Sequence, residues 1–145
     1  AFSCLGTTLA AAGSKEAQWR VDYDYQYHFA QQCKANGVPT FVLLSAAMAN
    51  AQSKFFYNRM KGQLEEAVKA LGFQRLLIFN PSILIRKDSD RGGENFSLKV
   101  IQLLNKIGLF KHFRPIPTAV LAERMRQEVA TATEGIHTFV LDKIF

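Results

Sequence analysis

Short apolar runs alternate along the chain with longer segments in which apolar residues recur at helical spacing, and this alternation constrains the fold most strongly. The run Thr40–Leu44 is rich in β-branched and aromatic residues and lies between Pro39 and Ser45, as is typical of a buried parallel strand. Over residues 53–71 the apolar side chains follow a helical period that ends at Gly72. Strands that alternate with helices indicate an α/β fold.

The remaining segments extend this pattern along the chain. We expect further strands over residues 1–5, 75–79 and 137–141, with a short extended piece at 115–117. We expect further helices over residues 23–36, 94–107 and 118–131. Asp22 and Thr118 are the predicted N-caps of two of them, and a polar loop is expected over residues 86–93.

Length and composition place the chain among ordinary globular proteins. Its 145 residues suffice for one domain, and 48% hydrophobic with 21% charged residues excludes a disordered or low-complexity protein. The longest uncharged apolar-rich run, residues 38–50, is shorter than the ~20 residues that cross a bilayer, so we expect no membrane span. Two cysteines, Cys4 and Cys33, are too few for a disulfide framework, which predicts a reducing, cytoplasmic location.

The net charge of +6 predicts a surface that attracts the phosphates of a nucleic acid, a membrane or a cofactor. The most basic stretch, with interleaved aromatic rings, contains Lys106, Phe110, Lys111, His112, Phe113, Arg114, Arg124 and Arg126. It matches no RNA-binding motif, and such charges commonly line a solvated face, so we do not expect a nucleic-acid partner. The three histidines lack the spacing of metal ligands, so we expect no metal.

Three polar residues carry the chemical signal. Tyr57 and Lys61 are four residues apart, so they share one face of the predicted helix. An ammonium beside a phenol favours the phenolate, which predicts a lowered pKa for Tyr57 and proton exchange near neutral pH. Ser45 follows its strand at the edge where ligands bind in open α/β sheets, and its hydroxyl can hydrogen-bond a carbonyl or alcohol oxygen. Taken alone, the Tyr-Lys pair also fits an ordinary solvated helix face.

Several stretches over about the first hundred residues form a recognisable series. They are Cys4-Leu5-Gly6-Thr7-Thr8, Val21-Asp22-Tyr23, Leu43-Leu44-Ser45, Phe56-Tyr57, Lys61-Gly62, Asn80-Pro81-Ser82-Ile83-Leu84 and Arg91-Gly92-Gly93-Glu94. In this order they resemble the short-chain dehydrogenase/reductase superfamily, and within it the atypical, Tat-interacting-protein-like branch. The resemblance implies a Rossmann-like, doubly wound parallel sheet flanked by helices, which binds NADP(H).

The resemblance also implies an activity and residues for it. The activity would be NADP(H)-dependent hydride transfer to or from a carbonyl or alcohol substrate. Tyr57 would be the catalytic acid/base, Lys61 would bind the nicotinamide ribose and lower the tyrosine pKa, and Ser45 would orient the substrate. The cofactor-binding residues would be Leu5, Gly6, Thr7, Tyr57, Lys61, Leu84 and Arg91. One departure is Asn80, which stands where that family often has an arginine before the proline.

The sequence contains no glycine-rich phosphate-binding loop of the Rossmann type. In the resembled family about three strands precede the segment that matches residues 4–8. We therefore interpret residues 1–145 as the C-terminal part of a single NAD(P)-binding domain, truncated before its middle strand, with a missing N-terminal segment as a partner. The residues that select NADP or NAD would lie upstream; the resemblance and the basic charge favour NADP, and NAD stays open. Helix pairing in the superfamily also allows a homodimer.

A second hypothesis comes from a different class of protein. Atypical members of the superfamily can keep the cofactor as a structural ligand, so the chain can also be a cofactor-binding regulatory or protein-interaction module with little or no turnover. The intact pair Tyr57 and Lys61 favours retained chemistry. An oxidoreductase should lose carbonyl reduction on the change Tyr57→Phe and keep its NADPH affinity. A binding module should lose neither.

Overall fold

Strands and helices alternate along the described part of the chain. The structure is a computed structural model and describes residues 1–82, 84–85 and 116–140. The strands are β1 (Phe2–Ser3), β2 (Thr40–Leu44), β3 (Arg75–Asn80), β4 (Leu84–Ile85), β5 (Ile116–Pro117) and β6 (Gly135–Val140). The helices are α1 (Leu9–Ala12), α2 (Lys15–Trp19), α3 (Tyr25–Ala35), α4 (Phe56–Ala70) and α5 (Thr118–Thr131), and a π-helical turn (Arg20–Asp24) joins α2 to α3.

Four strands form one parallel sheet in the order β1-β2-β3-β6. In the register of β2 and β3, Thr40 lies opposite Arg75, and Leu44 lies opposite Phe79. The carboxyl ends of these strands therefore meet at one edge of the sheet, where ligands bind in open α/β folds. Strands β4 and β5 form a separate parallel pair. The arrangement confirms the predicted α/β class with a parallel sheet and flanking helices.

Strands β2 and β3 are buried on both faces, since their successive residues point to opposite sides and both sides are covered, whereas the outer strand β6 is mostly exposed. One core cluster joins β2 and β3 to α3 and α4, and contains Ala30, Cys33, Phe41, Leu43, Leu64, Val68, Phe73, Leu76 and Ile78. The other joins the same strands to α5, and contains Val42, Leu77, Phe79, Ile116, Leu121 and Met125. Burial of both faces under helices explains why β2 and β3 are continuously apolar rather than alternating.

Several predicted boundaries agree closely with the structure. The predicted strand Thr40–Leu44 coincides with β2, and the helix predicted over residues 118–131 coincides with α5, although Pro117 rather than Thr118 is its N-cap. The loop predicted over residues 86–93 and the helix predicted over 94–107 lie outside the described residues. Among the helices that the structure describes, none is long and apolar enough to cross a membrane.

The first predicted helix differs most from the structure. Asp22 is not its N-cap: the residue lies inside the π-helical turn and is fully buried. The chain is already helical from Lys15, where the Ser14 side chain caps α2 by accepting a hydrogen bond from the Ala17 N–H. The N-cap prediction is wrong because helical hydrogen bonds continue through this segment, with the Tyr25 N–H bonded to the Arg20 carbonyl.

Candidate functional site

Helix α4 places Tyr57 and Lys61 on successive turns at the carboxyl edge of the sheet. The Lys61 Nζ lies 6.0 Å from the centroid of the Tyr57 ring. Tyr57 is 40% exposed, whereas Lys61 is 2% exposed. Tyr57 is therefore partly open to solvent and partly buried, whereas the ammonium beside it is withdrawn from water.

Close backbone packing fixes the start of α4 against the loop that follows β2. A Cβ on Gly62 would lie only 2.2 Å from the backbone nitrogen of Ala51, so this helix position accepts no side chain without a shift. The Asn50 N–H also donates a hydrogen bond of 3.0 Å to the Asn58 carbonyl. The turn that carries Tyr57 is thus held directly on the loop after β2.

Lys61 is held by Asp22 from the π-helical turn. The Lys61 Nζ lies 3.1 Å from the Asp22 Oδ1, and both side chains are buried. The other carboxylate oxygen, Oδ2, accepts a hydrogen bond of 2.9 Å from the Thr7 N–H in the loop after β1. A single carboxylate therefore connects the lysine of α4 to the loop that the sequence assigned to the cofactor.

A buried polar stripe holds that loop in place. Gln18, Asp22 and Gln26 recur at four-residue intervals across α2, the π-helical turn and α3, and all three are buried. The Gln18 Nε2 donates to the Thr7 carbonyl at 3.3 Å, and the Gln26 Oε1 accepts from the Ser3 Oγ at 2.9 Å. Sequence reasoning missed this stripe, although its regular spacing is visible in the sequence.

The electrostatics of Tyr57 differ from the sequence-based expectation. Burial of the phenol and the negative charge of Asp22 raise the pKa of Tyr57 to about 12. Burial lowers the pKa of Lys61 from its ordinary value, and the Asp22 carboxylate opposes that change. The predicted lowering of the tyrosine pKa is not found here because burial disfavours the charged phenolate, and the Asp22 carboxylate disfavours it further.

Ser45 lies where the sequence predicted, directly after β2, but its hydroxyl is already engaged. Ser45 is buried and donates a hydrogen bond to the Glu65 Oε1 of α4. The same oxygen accepts a bond of 2.6 Å from the Asn80 Nδ2 at the end of β3, and Asn80 also donates to the Ala46 carbonyl at 3.0 Å. Sequence reasoning missed Glu65, which joins the ends of two neighbouring strands.

The predicted cofactor residues occupy two places. Leu5 and Gly6 are exposed and Thr7 is half-buried, all in the loop after β1. Leu84 lies in β4, partly buried against the core cluster that contains Val42 and Leu77. Arg91 lies outside the described residues. Helix α4 offers two hydrogen-bond donors, the Tyr57 hydroxyl and the Lys61 ammonium. Such donors can bind ribose hydroxyls, so their chemistry fits the ribose of a dinucleotide.

Curated relatives of the chain are fungal proteins. Protein FMP52-1 of Scheffersomyces stipitis is 44% identical over 124 residues, which cover 84% of this chain and 55% of that protein. Protein FMP52 of Saccharomyces cerevisiae is 40% identical over 94 residues, which cover 63% of this chain and 41% of that protein. The chain thus spans about half the length of the curated relatives it matches, or less. No family model matches it.

Solved structures share the fold at low sequence identity. The dTDP-4-dehydrorhamnose reductase of Bacillus anthracis, solved with NADP, has a TM-score of 0.65 and 16% identity, and the match covers 96% of this chain and 55% of that chain. The human epimerase family protein SDR39U1, solved with NADPH, has a TM-score of 0.66 and 12% identity at the same coverages. The chain therefore has the Rossmann-like α/β fold of these NADP-bound proteins.

The comparisons also correct one prediction. The relatives from Scheffersomyces stipitis, Emericella nidulans, Candida glabrata and Saccharomyces cerevisiae all carry the word mitochondrial in their names. The cytoplasmic location predicted from the cysteines is therefore wrong. The physical reason is that a low cysteine count indicates a reducing compartment without indicating which one.

Proposed function

We propose that this chain is the C-terminal, catalytic part of an NADP(H)-dependent oxidoreductase of the atypical short-chain type. The observation that carries the proposal is the placement of Tyr57 and the buried Lys61 on successive turns of α4, beside the strand that ends at Ser45. This edge of a parallel sheet is where such folds bind ligands. The substrate would be a small carbonyl or alcohol compound.

Tyr57 is suited to act as a proton donor. With its pKa raised to about 12, the phenol stays protonated at neutral pH. A donor already in place stabilises the alkoxide that develops when a carbonyl carbon is reduced. Reduction of a carbonyl is therefore the direction that this side chain favours, and its 40% exposure leaves the hydroxyl within reach of a substrate.

Ser45 serves this reaction by changing its hydrogen bond. Its single hydroxyl proton is directed to Glu65, so the lone pairs of the oxygen stay available to accept. A substrate alcohol can donate to those lone pairs directly. A substrate carbonyl instead requires the Ser45 hydroxyl to rotate away from Glu65, which Asn80 continues to hydrogen-bond.

The cofactor would be NADP, with NAD as the alternative, and it would supply the hydride. Lys61 and Tyr57 would hold its nicotinamide ribose, and Leu5, Gly6, Thr7, Leu84 and Arg91 would contact it. This sequence contains no glycine-rich loop, and in this proposal an N-terminal segment of a longer protein would bind the phosphates. Support for a longer protein comes from the relatives, of which this chain covers 55% or less in the examples above.

The test is the substitution Tyr57→Phe in the full-length protein. Oxidation of NADPH is followed with a panel of aldehydes and ketones, and NADPH affinity is measured separately. We expect loss of at least about 100-fold in turnover, because general acid catalysis contributes that much, with affinity almost unchanged. Tyr25→Phe is the matched control, since Tyr25 is an exposed tyrosine of α3.

Two other outcomes contradict the proposal. NADPH binding without turnover of any carbonyl by the wild-type protein favours a cofactor-binding regulatory or protein-interaction module. Equal turnover by wild type and Tyr57→Phe assigns the proton transfer to another group.

A homodimer, which the family resemblance allows, is checked by light scattering on the same sample.

We also propose a mitochondrial location for the full-length protein, by similarity to the relatives named mitochondrial. Subcellular fractionation of cells that express the tagged full-length protein tests it. Recovery of the tag in the cytosolic fraction, with a mitochondrial marker retained in the organelle pellet, would contradict it.

A further inference from the structure

Asp22 contacts two parts of the candidate site at once. One carboxylate oxygen pairs with the Lys61 Nζ at 3.1 Å, and the other accepts the Thr7 N–H at 2.9 Å. We propose that Asp22 is a positioning residue that fixes the Lys61 ammonium relative to the loop after β1 and thereby sets the pH at which Tyr57 exchanges its proton. This inference rests on the acid/base role proposed for Tyr57.

The position of Asp22 is itself fixed. Its backbone carbonyl accepts a hydrogen bond of 2.8 Å from the Gln26 Nε2, and Gln26 is anchored in turn by the Ser3 hydroxyl of β1. The π-helical turn contains one residue more than an α-helical turn, and this irregularity carries Asp22 between the loop and α4. The carboxylate is therefore preorganised, with no exposed surface of its own.

The charge of Asp22 acts against that of Lys61. The ammonium lies 3.1 Å from the carboxylate but 6.0 Å from the Tyr57 ring centroid, so the carboxylate has the closer interaction. An ammonium whose charge is offset in this way stabilises a phenolate less than a free one. Asp22 thereby adds to the effect of burial, and both favour the protonated form of Tyr57 that a proton donor needs.

The other charged groups near this site are few among the described residues. From α2, the Lys15 Nζ lies 5.7 Å from the ring of Phe56, the residue before Tyr57. From α4 itself, Glu65 acts on Lys61 and favours its charged form. Among these charged groups, Asp22 is the one whose charge raises the pKa of Tyr57, so its removal should dominate the response.

The substitution Asp22→Asn isolates this charge. An asparagine oxygen can still accept the Thr7 N–H, and the backbone carbonyl that binds Gln26 is unchanged. Asp24→Asn is the matched control, since it makes the same change two residues further along the same turn, where the side chain is only half-buried.

The experiment is an alkaline titration of phenolate absorbance in the full-length protein without nucleotide. Each protein is compared with its Tyr57→Phe counterpart, so that the difference reports Tyr57 alone. We expect Asp22→Asn to move the Tyr57 titration to lower pH by about 1 unit, as removal of one neighbouring like charge does, and Asp24→Asn to leave it in place. An unchanged midpoint in Asp22→Asn, or an equal shift in Asp24→Asn, overturns the proposal.

A second variant keeps the proposal testable if Asp22→Asn leaves a buried ammonium that prevents folding. The double variant Asp22→Asn with Lys61→Gln removes both charges, and it should titrate below the single variant Lys61→Gln, in which the Asp22 charge acts on Tyr57 unopposed. An equal midpoint in these two variants overturns the proposal as well. The titration needs no substrate, so it decides the role of Asp22 even if the wild-type protein shows no oxidoreductase activity. Where activity is found, the pH profile of Asp22→Asn should shift in the same direction.

Discussion

Two buried carboxylates that contact the candidate site differ in the partners they bind. Asp22 pairs with the ammonium of Lys61 and accepts one backbone N–H. Glu65 accepts instead from the neutral Ser45 hydroxyl and the neutral Asn80 amide. Asp22 therefore neutralises the charge of Lys61, whereas Glu65 orients the hydrogen bonds of the polar side chains at the ends of β2 and β3.

This difference predicts how much stability a substitution should cost at each carboxylate. Loss of one partner from a buried ion pair leaves a charge without compensation, which is costlier than the pair itself is favourable. Loss of an acceptor that binds neutral donors leaves those polar groups unsatisfied, at the smaller cost of their desolvation. Substitutions that break the Asp22 pair should therefore lower the free energy of unfolding more than substitutions at Glu65 do. They should also differ in their effect on the pKa of Tyr57.

The largest effect is expected from Lys61→Met. This change leaves the Asp22 carboxylate buried opposite an apolar side chain, and we expect it to lower the free energy of unfolding by about 3–5 kcal/mol. Adding Asp22→Asn should recover much of that loss, because both charges are then gone. Urea unfolding of the full-length protein, followed by circular dichroism, measures the four members of this cycle. Additive losses in the double variant would contradict the charge pairing.

An intermediate effect is expected from Glu65→Leu. The leucine leaves the Ser45 hydroxyl without its acceptor, at about 1–3 kcal/mol, whereas the Asn80 amide keeps its bond to the Ala46 carbonyl. Glu65→Gln should cost less, since its carbonyl oxygen can accept both bonds. Glu66→Leu is the control, because Glu66 is the exposed neighbour on α4. Equal losses at the two positions in urea unfolding would show that the buried network contributes nothing.

Local sequence patterns were sufficient to predict the frame of the site. The apolar run Thr40–Leu44 and the helical period behind Tyr57 and Lys61 are properties of contiguous residues, and the structure has β2 and α4 there. The position of Ser45 at the carboxyl edge follows from its place after β2. Such patterns are informative because burial of one helix face or of a whole strand is recorded in neighbouring residues.

The partners of these residues depend on contacts between distant segments. Asp22 reads as an N-cap in sequence, and only the packing of the π-helical turn against α4 brings it to Lys61, 39 positions further along the chain. Glu65 meets Ser45 and Asn80 because α4 packs against two strands at once. The sequence also predicted the wrong direction for the Tyr57 pKa, because the spacing of Tyr57 and Lys61 reveals neither the burial of the phenol nor the effect of Asp22 on it, and both raise that pKa.

The smallest effect is expected from Lys69→Ala, which sharpens the contrast between the two carboxylates. Lys69 also faces Glu65, but its Nζ is 3.9 Å from the Glu65 Oε2 and its side chain is 38% exposed. A solvent-screened pair at this distance contributes about 0–1 kcal/mol, far less than the expected cost of removing Lys61 from its buried pair. Urea unfolding at low and at high salt should therefore show a small loss that disappears as salt is added. A loss comparable to that of Lys61→Met, persisting at high salt, would mean that Glu65 too depends on a cation, and the distinction between the two carboxylates would fail.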